Sequence, residues 1–350
     1  MSYDWKNILI KPDQPIRDAL QLVDSESLRI ALVVDDELRL LGVVTDGDVR
    51  RGLLNNLNLA SPVSKVMSIN PLTASLGTSR KELVKFMESR ELLAVPLLNG
   101  EFVAVLETLE RSGLYSKYQN PVFLMAGGFG TRLRALTDNC PKPLLKVGDK
   151  PILEIVLNSF IKAGFVNFYI STHYLPEMIR EHFGDGSKWN VTISYVHEEL
   201  PLGTGGALGL LPADTPDLPL ILINGDVLTN VDFERVLEFH NKHQAAATMC
   251  VRDYEYQVPF GVINGDGNKI ISMVEKPVQR FFVNAGIYVI SPEIRYSVQK
   301  NTRIDMPTLL EQFIAQNHNV MMFPIHEYWL DIGRIEDYNR AQVDIMNLEF

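Results

Sequence analysis

The chain contains 350 residues, of which 46% are hydrophobic and 22% charged, and its formal net charge is −10. This length predicts about two domains, each burying its own core. The acidic balance excludes a nucleic-acid-binding protein, which needs a basic surface, and no apolar run reaches the ~18–20 residues that span a membrane.

The N-terminus and the cysteines predict a cytoplasmic protein. The opening sequence, MSYDWKNILIKPDQP, has neither the basic segment nor the long apolar segment of a signal peptide. Cys140 and Cys250 are too few for a disulfide framework and fit a reducing compartment.

The N-terminal third contains a degenerate repeat with a period of about 60 residues. Apolar periodicity and turn residues predict the same order of helix, strand and strand in both copies. The predicted elements of the first copy are a helix at 16–23, strands at 30–34 and 40–44, and a helix opening at 45–48 and running to 54. Those of the second copy are a helix at 79–89 and strands at 94–98 and 102–106, joined by an Asn-Gly turn.

The segment GVVTDGD, residues 42–48, makes this repeat resemble a tandem CBS module. The resemblance implies that Thr45 and Asp48 bind the phosphate and ribose of a regulatory nucleotide at a helix N-terminus. Thr45 as N-cap and Asp48 as the third helical residue would explain the same pattern without a ligand, so both interpretations stay open. The second copy has Leu106 and Leu109 at these positions, and the resemblance implies that the module also dimerises the chain.

A glycine-rich segment follows an apolar run, Val122 to Met125, that predicts a buried strand. Its glycines allow the backbone to approach a ligand closely, and its consecutive N–H groups can form an anion-binding concavity. Arg132 offers a forked cation, and Lys142 lies between two prolines that stiffen the chain. The spacing fits neither a Walker loop nor a dinucleotide fingerprint, so we predict a separate kind of triphosphate cradle.

The motif GGFGTRL, residues 127–133, followed by PKP, residues 141–143, resembles the nucleotide-binding motif of the sugar-1-phosphate nucleotidylyltransferases. The resemblance extends from about residue 120 to the C-terminus. It implies catalytic roles for Arg132, Lys142 and Asp226. It also implies a nucleotide-binding loop formed by Ala126, Gly127, Gly128, Gly130 and Thr131. We therefore expect a CBS module for regulation or dimerisation at 1–117 and a catalytic domain at 120–350.

The catalytic part alternates strands with helices, which predicts an α/β fold with a Rossmann-like, mostly parallel sheet and helices on both faces. An α+β CBS-pair domain precedes it. Ligands of such sheets bind at the carboxyl ends of the strands. The elements predicted here are strands at 167–171, 191–196, 220–224 and 320–324, and helices at 152–163, 308–316 and from 335 onward.

A second glycine-rich loop follows the strand at 191–196. Glu198, Gly203, Thr204 and Gly205 match the loop with which the family reads the nucleobase and sugar, although the family usually has alanine at 205. A helix-opening loop without ligand contacts is the alternative.

Asp226 and Asp331 are the predicted metal ligands. Asp226 follows a strong buried strand, and a carboxylate at such a place suits Mg²⁺. Asp331 interrupts an apolar run, where a charge is costly unless it is paired or metal-bound. Both match the metal-binding aspartates of the family.

The resemblance also implies a sugar-phosphate site. It assigns sugar hydroxyls to Glu275, the phosphate to Lys276, and orientation of the ring to Asn284 and the Gly261 backbone. Taken by themselves, Glu275 and Lys276 are explained better by a solvated charged turn.

The expected function is transfer of a nucleotidyl group from a nucleoside triphosphate to a sugar-1-phosphate, with release of pyrophosphate. A CBS pair before one such domain resembles bacterial guanylyltransferases of legionaminic-acid-type pathways, which use GTP and glucosamine-1-phosphate. Other hexose-1-phosphates and thymidylyl or uridylyl transfer remain open. A homodimer or higher homo-oligomer is expected. A second hypothesis is a CBS-based nucleotide sensor whose transferase-like part only binds.

Overall fold

The structure is a computed structural model that describes residues 5–25, 29–90, 92, 94–108 and 118–346. Leu109 and most of the connection between the two predicted domains lie outside the described residues. The chain divides into two compact units, Met1–Leu114 and Tyr115–Phe350. No helix within the described ranges combines the length and the apolar character needed to cross a membrane.

The N-terminal unit is built from two copies of one strand arrangement. In each copy a short first strand pairs in parallel with the second, which pairs antiparallel with the third. This pairing confirms the predicted repeat. The elements are β1 (Leu9–Ile10), α1 (Ile16–Ser25), β2 (Ile30–Val34), β3 (Leu40–Thr45), α2 (Asp46–Leu54), β4 (Ala74–Ser75), α3 (Arg80–Ser89), β5 (Ala94–Asn99) and β6 (Phe102–Thr108).

The second strand of the first copy is buried on both faces. Ala31 and Val33 join one apolar cluster with Ala19 and Val23 of α1, whereas Leu32 and Val34 join another. Alternate residues of a strand point to opposite faces, which explains why β2 is apolar at every position.

The second unit holds a central seven-stranded sheet. Its elements are β7 (Tyr118–Met125), α4 (Arg134–Thr137), β8 (Lys146–Val147), β9 (Lys150–Pro151), α5 (Ile152–Lys162), β10 (Phe165–Thr172), α6 (Pro176–Phe183), β11 (Thr192–His197), α7 (Gly203–Gly206), β12 (Leu220–Asn224), β13 (Val227–Thr229), α8 (Phe233–Lys242), β14 (Ala247–Gln257), β15 (Val262–Asp266), β16 (Lys269–Val274), β17 (Val278–Ile290), α9 (Pro292–Ser297), α10 (Met306–Ala315), β18 (Val320–Ile325), β19 (Trp329–Asp331) and α11 (Ile335–Asp344).

The strand order is β11-β10-β7-β12-β17-β14-β18. Only β17 runs antiparallel to its neighbours, and the remaining pairs of this sheet are parallel. The predicted mostly parallel α/β fold is confirmed. β7 and β12 lie side by side in the middle, so the segments that leave their carboxyl ends start from neighbouring points.

Helices cover both faces of this sheet. Ile221 and Ile223 of β12 pack with side chains of α5 and α8, while Leu220 and Leu222 pack with side chains of α10 on the opposite face. Each fully buried leucine or isoleucine contributes about 1.5–3 kcal/mol of burial free energy, which fixes the strand ends. A rigid three-layer core therefore supports the loops at the carboxyl edge.

β14 and β17 extend beyond the sheet as a long antiparallel pair, from which the β15–β16 hairpin continues. We call residues 253–282 the arm. The sequence patterns predict a strand only from about residue 283, because the alternation in the arm is interrupted by glycines and charges.

Candidate active site

The first glycine-rich loop leaves the middle of the sheet directly after β7. The Ala126 N–H donates to the Ser171 hydroxyl at 3.1 Å, which ties the loop to the end of β10. Gly127 packs against the buried side chain of Glu198, since a Cβ at position 127 would lie 2.7 Å from a Glu198 carboxylate oxygen. A Cβ on Gly128 would instead meet open space. The loop thus has one supported side and one side open to a ligand.

Gly130 and Thr131 complete this loop. Gly130 has φ +62°, a conformation that disfavours other residues, and its carbonyl accepts from the Thr137 hydroxyl at 3.1 Å. Thr131 is exposed and begins a single 3-10 turn that also carries Arg132. The turn directs the chain toward the Pro-Lys-Pro segment.

Glu198 holds two loops together. Its carboxylate accepts from the Leu202 N–H at 3.0 Å and from the Ser171 hydroxyl. Burial raises the pKa of Glu198 above its ordinary value, while these hydrogen bonds oppose that shift. Glu198 is only 4% exposed, and its carboxylate lies against Gly127. Glu198 therefore positions the first glycine-rich loop.

Lys142 and Asp226 meet across the two central strands. The Lys142 ammonium is bonded to the Asp226 carboxylate, and the lysine is 8% exposed. A buried ammonium is stable only with such a partner. Asp226 lies two residues beyond the end of β12, and Gly225 before it donates to the Met125 carbonyl at 2.8 Å. The predicted catalytic lysine and the predicted metal ligand are therefore in direct contact.

Asp331 is brought to Asp226 by a short antiparallel pair. In the register of β13 and β19, Val227 lies opposite Asp331, and the Ile332 N–H donates to the Asp226 carbonyl at 3.0 Å. Burial, and then the negative charge of Asp226, raise the pKa of Asp331, whereas Lys142 opposes this shift. The predicted pair of acidic residues thus shares one site although 105 positions separate them.

Arg132 approaches the same place from the first loop. A Cβ on Gly333 would lie 3.2 Å from a guanidinium nitrogen of Arg132, which locates the cation two residues beyond Asp331. The positive charge of Arg132, like that of Lys142, opposes the rise in the pKa of Asp331. Unlike Lys142 it is exposed, so its forked donors are accessible to an anion.

The carboxylates fit a divalent cation. The Oδ1 atom of Asp331 is buried and has no hydrogen-bond partner among the described residues. An acceptor in this state costs about 1–3 kcal/mol unless a donor or a cation reaches it. Two carboxylates at one strand end supply the oxygen ligands that hard divalent cations prefer.

Family comparisons identify both parts of the chain. Residues 122–347 match the nucleotidyl transferase family, and residues 3–55 match the CBS domain family. The first match covers more than half of the chain. The chain belongs to the nucleotidyl transferase family. An N-terminal CBS domain precedes the transferase part.

Relatives of this nucleotidyl transferase include the mannose-1-phosphate guanylyltransferase catalytic subunit beta of Danio rerio. It is 34% identical over 228 residues, which are 61% of this chain and 61% of the relative. The chain spans about three fifths of the length of the curated relatives that it matches.

Two solved structures share the fold. HddC from Yersinia pseudotuberculosis, complexed with GMP-PN, has a TM-score of 0.52 at 24% identity and covers 65% of this chain and 99% of its own. UDP-glucose pyrophosphorylase, complexed with UDP-glucose, has a TM-score of 0.50 at 21% identity and covers 65% of this chain and 98% of its own. At these identities the likeness concerns the fold alone.

The second glycine-rich loop of this nucleotidyl transferase packs against its own chain. The Thr204 hydroxyl accepts from the Met306 N–H at 2.9 Å, and the Gly205 N–H donates to the Ile304 carbonyl at 2.9 Å. A Cβ on Gly203 would lie 2.6 Å from the Asp305 carboxylate. The close backbone approach predicted from the glycines is real, but its partner here is the segment before α10.

The predicted sugar-phosphate residues lie on the arm and on β17. A Cβ on Gly261 would lie 2.9 Å from the Glu275 carboxylate, so these two residues are adjacent. Lys276 follows with φ +45°, an uncommon conformation for a residue with a side chain. Asn284 accepts from the Gly286 N–H at 2.9 Å and donates to the Tyr288 hydroxyl at 2.5 Å.

Asn224 lies at the candidate site, and the sequence analysis did not single it out. Its Oδ1 atom is buried and has no partner in the described structure, and a Cβ on Gly286 would meet its amide nitrogen at 2.6 Å. Asn224 therefore lies against Gly286, whose N–H is bonded to Asn284, and it is two residues before Asp226. The sequence signal that could have indicated Asn224 is a polar residue at the end of an otherwise apolar strand.

Thr45 and Asp48 form the predicted capping arrangement. The Asp48 carboxylate accepts from the Thr45 N–H at 2.8 Å and from its hydroxyl at 2.6 Å, and Thr45 accepts from the Asp48 N–H at 3.4 Å. Arg51 pairs with the same carboxylate at 2.5 Å. The capping interpretation is confirmed, and a nucleotide at these residues stays a prediction. In the second copy Leu106 is buried.

Proposed function

We propose that this chain is a sugar-1-phosphate nucleotidylyltransferase, which converts a nucleoside triphosphate and a sugar-1-phosphate into a nucleoside diphosphate sugar and pyrophosphate. The supporting observation is the convergence of two cations and two carboxylates from separate segments. Arg132, Lys142, Asp226 and Asp331 all reach the carboxyl ends of β7 and β12 or the β13–β19 pair beside them. Ligands of open α/β sheets bind at this edge.

The reaction needs positioning and charge neutralisation more than proton transfer. An oxygen of the sugar phosphate, already an anion, attacks the α-phosphorus, and the bond from that phosphorus to the bridging oxygen breaks as pyrophosphate leaves. Arg132 and Lys142 would hold the triphosphate, and preorganised charges of this kind stabilise the transition state. No histidine or serine nucleophile is required.

Asp226 and Asp331 would hold a divalent cation, for which we propose Mg²⁺. When bound, that ion neutralises charge on the reacting phosphates. The chain's own contribution is a carboxylate pair fixed by the β13–β19 register and balanced by Lys142. Glu198 and Ser171 would keep the nucleotide-binding loop, Ala126 to Thr131, in place.

For the substrates we propose GTP and a hexose-1-phosphate, with glucosamine-1-phosphate as the first candidate. The name of the Danio rerio relative supports the guanine base, and that name also makes mannose-1-phosphate a candidate. Glu275, Lys276, Asn284 and the Gly261 backbone would bind the sugar phosphate. Glu198 and the loop Gly203, Thr204 and Gly205 would form the wall beside the base.

The CBS domain provides for a regulatory nucleotide, which we propose binds near Thr45 and Asp48. We also propose a cytoplasmic homo-oligomer, since the cytosol supplies the triphosphates. A pure nucleotide sensor is the competing function, and the CBS match favours it as an alternative. The intact pair of carboxylates with its two cations favours the enzyme.

A substrate grid tests the proposal. Pyrophosphate release is measured for GTP, dTTP, UTP, CTP and ATP against glucosamine-, glucose-, mannose- and heptose-1-phosphate, with Mg²⁺ and with EDTA. We expect one combination to dominate and EDTA to abolish it. Nucleotide binding without turnover in every combination would instead identify a sensor. Repeating the best combination with AMP or ATP shows whether the CBS domain regulates the enzyme.

A further inference from the structure

Tyr288 is a buried polar residue that takes no part in the reaction proposed above. It is only 2% exposed and lies in the apolar cluster that packs the sheet against α10. Burial raises the pKa of Tyr288 to about 12, so its hydroxyl keeps the proton. A phenylalanine would fill the same space without a polar atom, and a buried hydroxyl normally has a hydrogen-bond partner. The identity of that partner therefore shows what the hydroxyl does.

The partner is Asn284, four residues earlier on β17. The Nδ2 group of Asn284 donates to the Tyr288 hydroxyl at 2.5 Å, and its Oδ1 atom accepts from the Gly286 N–H at 2.9 Å. Because a backbone N–H can only donate, the bond from Gly286 identifies which end of the Asn284 amide is the oxygen. The two bonds together fix both ends of this amide.

A bulge in β17 brings these groups together. Tyr288 lies opposite Met249 of β14 and Asn284 lies opposite Val251, so β17 advances by four residues where β14 advances by two. Gly286, in the middle of the bulge, has φ +70°, a conformation that disfavours residues with a side chain. Bulges beside active sites re-aim a side chain, and here the side chain that leaves the regular strand path is Asn284.

Neighbouring strands hold the bulge in place. A Cβ on Gly286 would lie 2.6 Å from the Asn224 amide nitrogen, so Asn224 of β12 occupies the space beside this glycine. A second contact comes from β19, where the Trp329 ring N–H donates to the Ala285 carbonyl at 2.8 Å. The same short strand ends at Asp331. The bulge therefore has a fixed place relative to the candidate cation site.

Asn284 retains hydrogen-bonding capacity for a ligand. The residue is exposed. An amide side chain offers two N–H donors and two acceptor lone pairs, and the bonds to Tyr288 and Gly286 use one of each. Within the described chain, one donor and one acceptor position are left, and the two bonds set their directions. A sugar hydroxyl both donates and accepts, so it suits this pair of positions.

We propose that Tyr288 is a positioning residue for the sugar phosphate, because its hydroxyl fixes the orientation of the Asn284 amide. The inference rests on the proposed function, in which Asn284 orients the sugar ring. Since Tyr288 is buried, it acts through Asn284 and not by touching the substrate. Without the hydroxyl, the amide keeps its bond to the Gly286 N–H, but its second anchor is lost. The sugar is then bound less tightly, and the configuration of its ring hydroxyls is read less strictly.

Tyr288→Phe tests this role, because it removes the hydroxyl and keeps the ring in the apolar cluster. We expect the KM for the sugar-1-phosphate to rise about 3–10-fold, the size of one hydrogen bond, with kcat and the KM for the triphosphate unchanged. Glucose-, mannose- and galactose-1-phosphate differ only in the configuration of ring hydroxyls. The preference of the enzyme among these three should fall by a similar factor.

Tyr118→Phe is the matched control. The Tyr118 hydroxyl donates to the Glu234 carboxylate at 2.6 Å, and Tyr118 is the first residue of β7, at the amino end of that strand. This variant also loses one tyrosine hydrogen bond, so its stability should fall while both KM values stay unchanged. Thermal unfolding measures the stability of both variants. An equal rise of the KM for the sugar phosphate in both would show a general structural effect and overturn the inference.

A double-mutant cycle with Asn284→Ala tests whether Tyr288 acts through Asn284. In the Asn284→Ala background, Tyr288→Phe should cause no further rise of the KM for the sugar phosphate, because the amide that the hydroxyl holds is absent. Effects of the two changes that multiply would overturn the inference. A Tyr288→Phe protein with the wild-type KM and the wild-type preference among the sugar phosphates would overturn it too.

Calorimetric titration of the same proteins with the three sugar-1-phosphates separates this inference from the proposed function. Weaker binding by Tyr288→Phe, with no further loss when Asn284→Ala is already present, supports the inference even in a protein that turns over no substrate pair. That outcome would reject the proposed function alone. Wild-type protein that binds none of the sugar-1-phosphates, with or without GTP, would overturn the inference.

Discussion

The two ends of strand β12 differ in whether the buried polar groups near them have hydrogen-bond partners. At the Leu220 end, His240 is 2% exposed and is bonded to the Thr248 hydroxyl at 3.1 Å and the Ser291 hydroxyl at 3.3 Å. Ser291 in turn donates to the Ala245 carbonyl at 2.9 Å. At the Asn224 end, two buried oxygens of the described chain, on Asn224 and Asp331, have no partner.

The pKa shifts at the two ends share one cause but differ in their consequence. Burial lowers the pKa of His240 to about 4, so the imidazole is neutral and its hydrogen bonds satisfy it. Burial also raises the pKa of Asp331, which lies beside the Asp226 carboxylate and whose Oδ1 atom has no hydrogen-bond partner in the described part of the chain. The unsatisfied end is destabilising by itself, and such a cost is typical of a place that a ligand completes.

The largest effect is expected from Asp226→Asn. The change keeps the size of the side chain but removes the charge that a divalent cation and Lys142 both need. We expect turnover to fall by about 10²–10³-fold, as for the loss of other preorganised electrostatic groups, and folding to persist. Pyrophosphate release under saturating substrates measures it. Full turnover of the variant with Mg²⁺ as the only metal would contradict the assignment.

Thr248→Val is the control at the opposite end. It removes the hydroxyl that partners His240 and leaves the ring nitrogen buried, so we expect a loss of about 1–3 kcal/mol in stability. Turnover should be unchanged, because the position lies at the far end of the sheet. Equal losses of turnover in both variants would show that the two ends are not functionally distinct.

The next effect concerns pH and His240. Its pKa is about 4 in the folded protein and 6.5 in the reference state, so the unfolded chain takes up the proton first as pH falls. Stability from this group is complete above pH 6.5 and is lost as pH falls toward 4. Between pH 7 and pH 5 the loss is about 2 kcal/mol. Urea unfolding at both pH values measures it, and His240→Gln should remove this part of the pH dependence.

The sequence predicted the carboxyl edge better than anything else in the second unit. Gly127 and Asp226 were predicted because each follows the end of an apolar strand. Asp331 was predicted because it is a charged residue within an apolar run. These signals are local, and the parallel sheet then brings the strand ends together. The Lys142–Asp226 contact followed because both flank the same pair of strands.

The features that escaped prediction depend on distant pairing. The arm exists because β14 pairs with β17, and neither strand shows this pairing in its own sequence. The glycines of the second loop suggested a ligand, whereas their neighbours here are Ile304 and Asp305, about 100 residues away. Asn224 was missed because one amide at a strand end is common, and only its unpartnered oxygen distinguishes it.

The smallest effect tests the cost of leaving Asp331 unsatisfied. Its folded-state pKa is raised, so stability linked to this group is present at low pH and is lost as pH rises through that pKa. Asp331→Asn removes the charge and its repulsion with Asp226. In EDTA we therefore expect the variant to be more stable than wild type by about 1 kcal/mol, or ~2–4 °C in Tm. Scanning calorimetry measures this difference.

Adding Mg²⁺ should reverse the order, because a cation bound between the carboxylates stabilises only the protein that retains both of them. Asp149→Asn, at an exposed position, is the control and should leave Tm unchanged in both buffers. A variant at Asp331 that is less stable in EDTA would mean that the carboxylate is satisfied within the chain. Its unpartnered oxygen would then no longer mark a cation site.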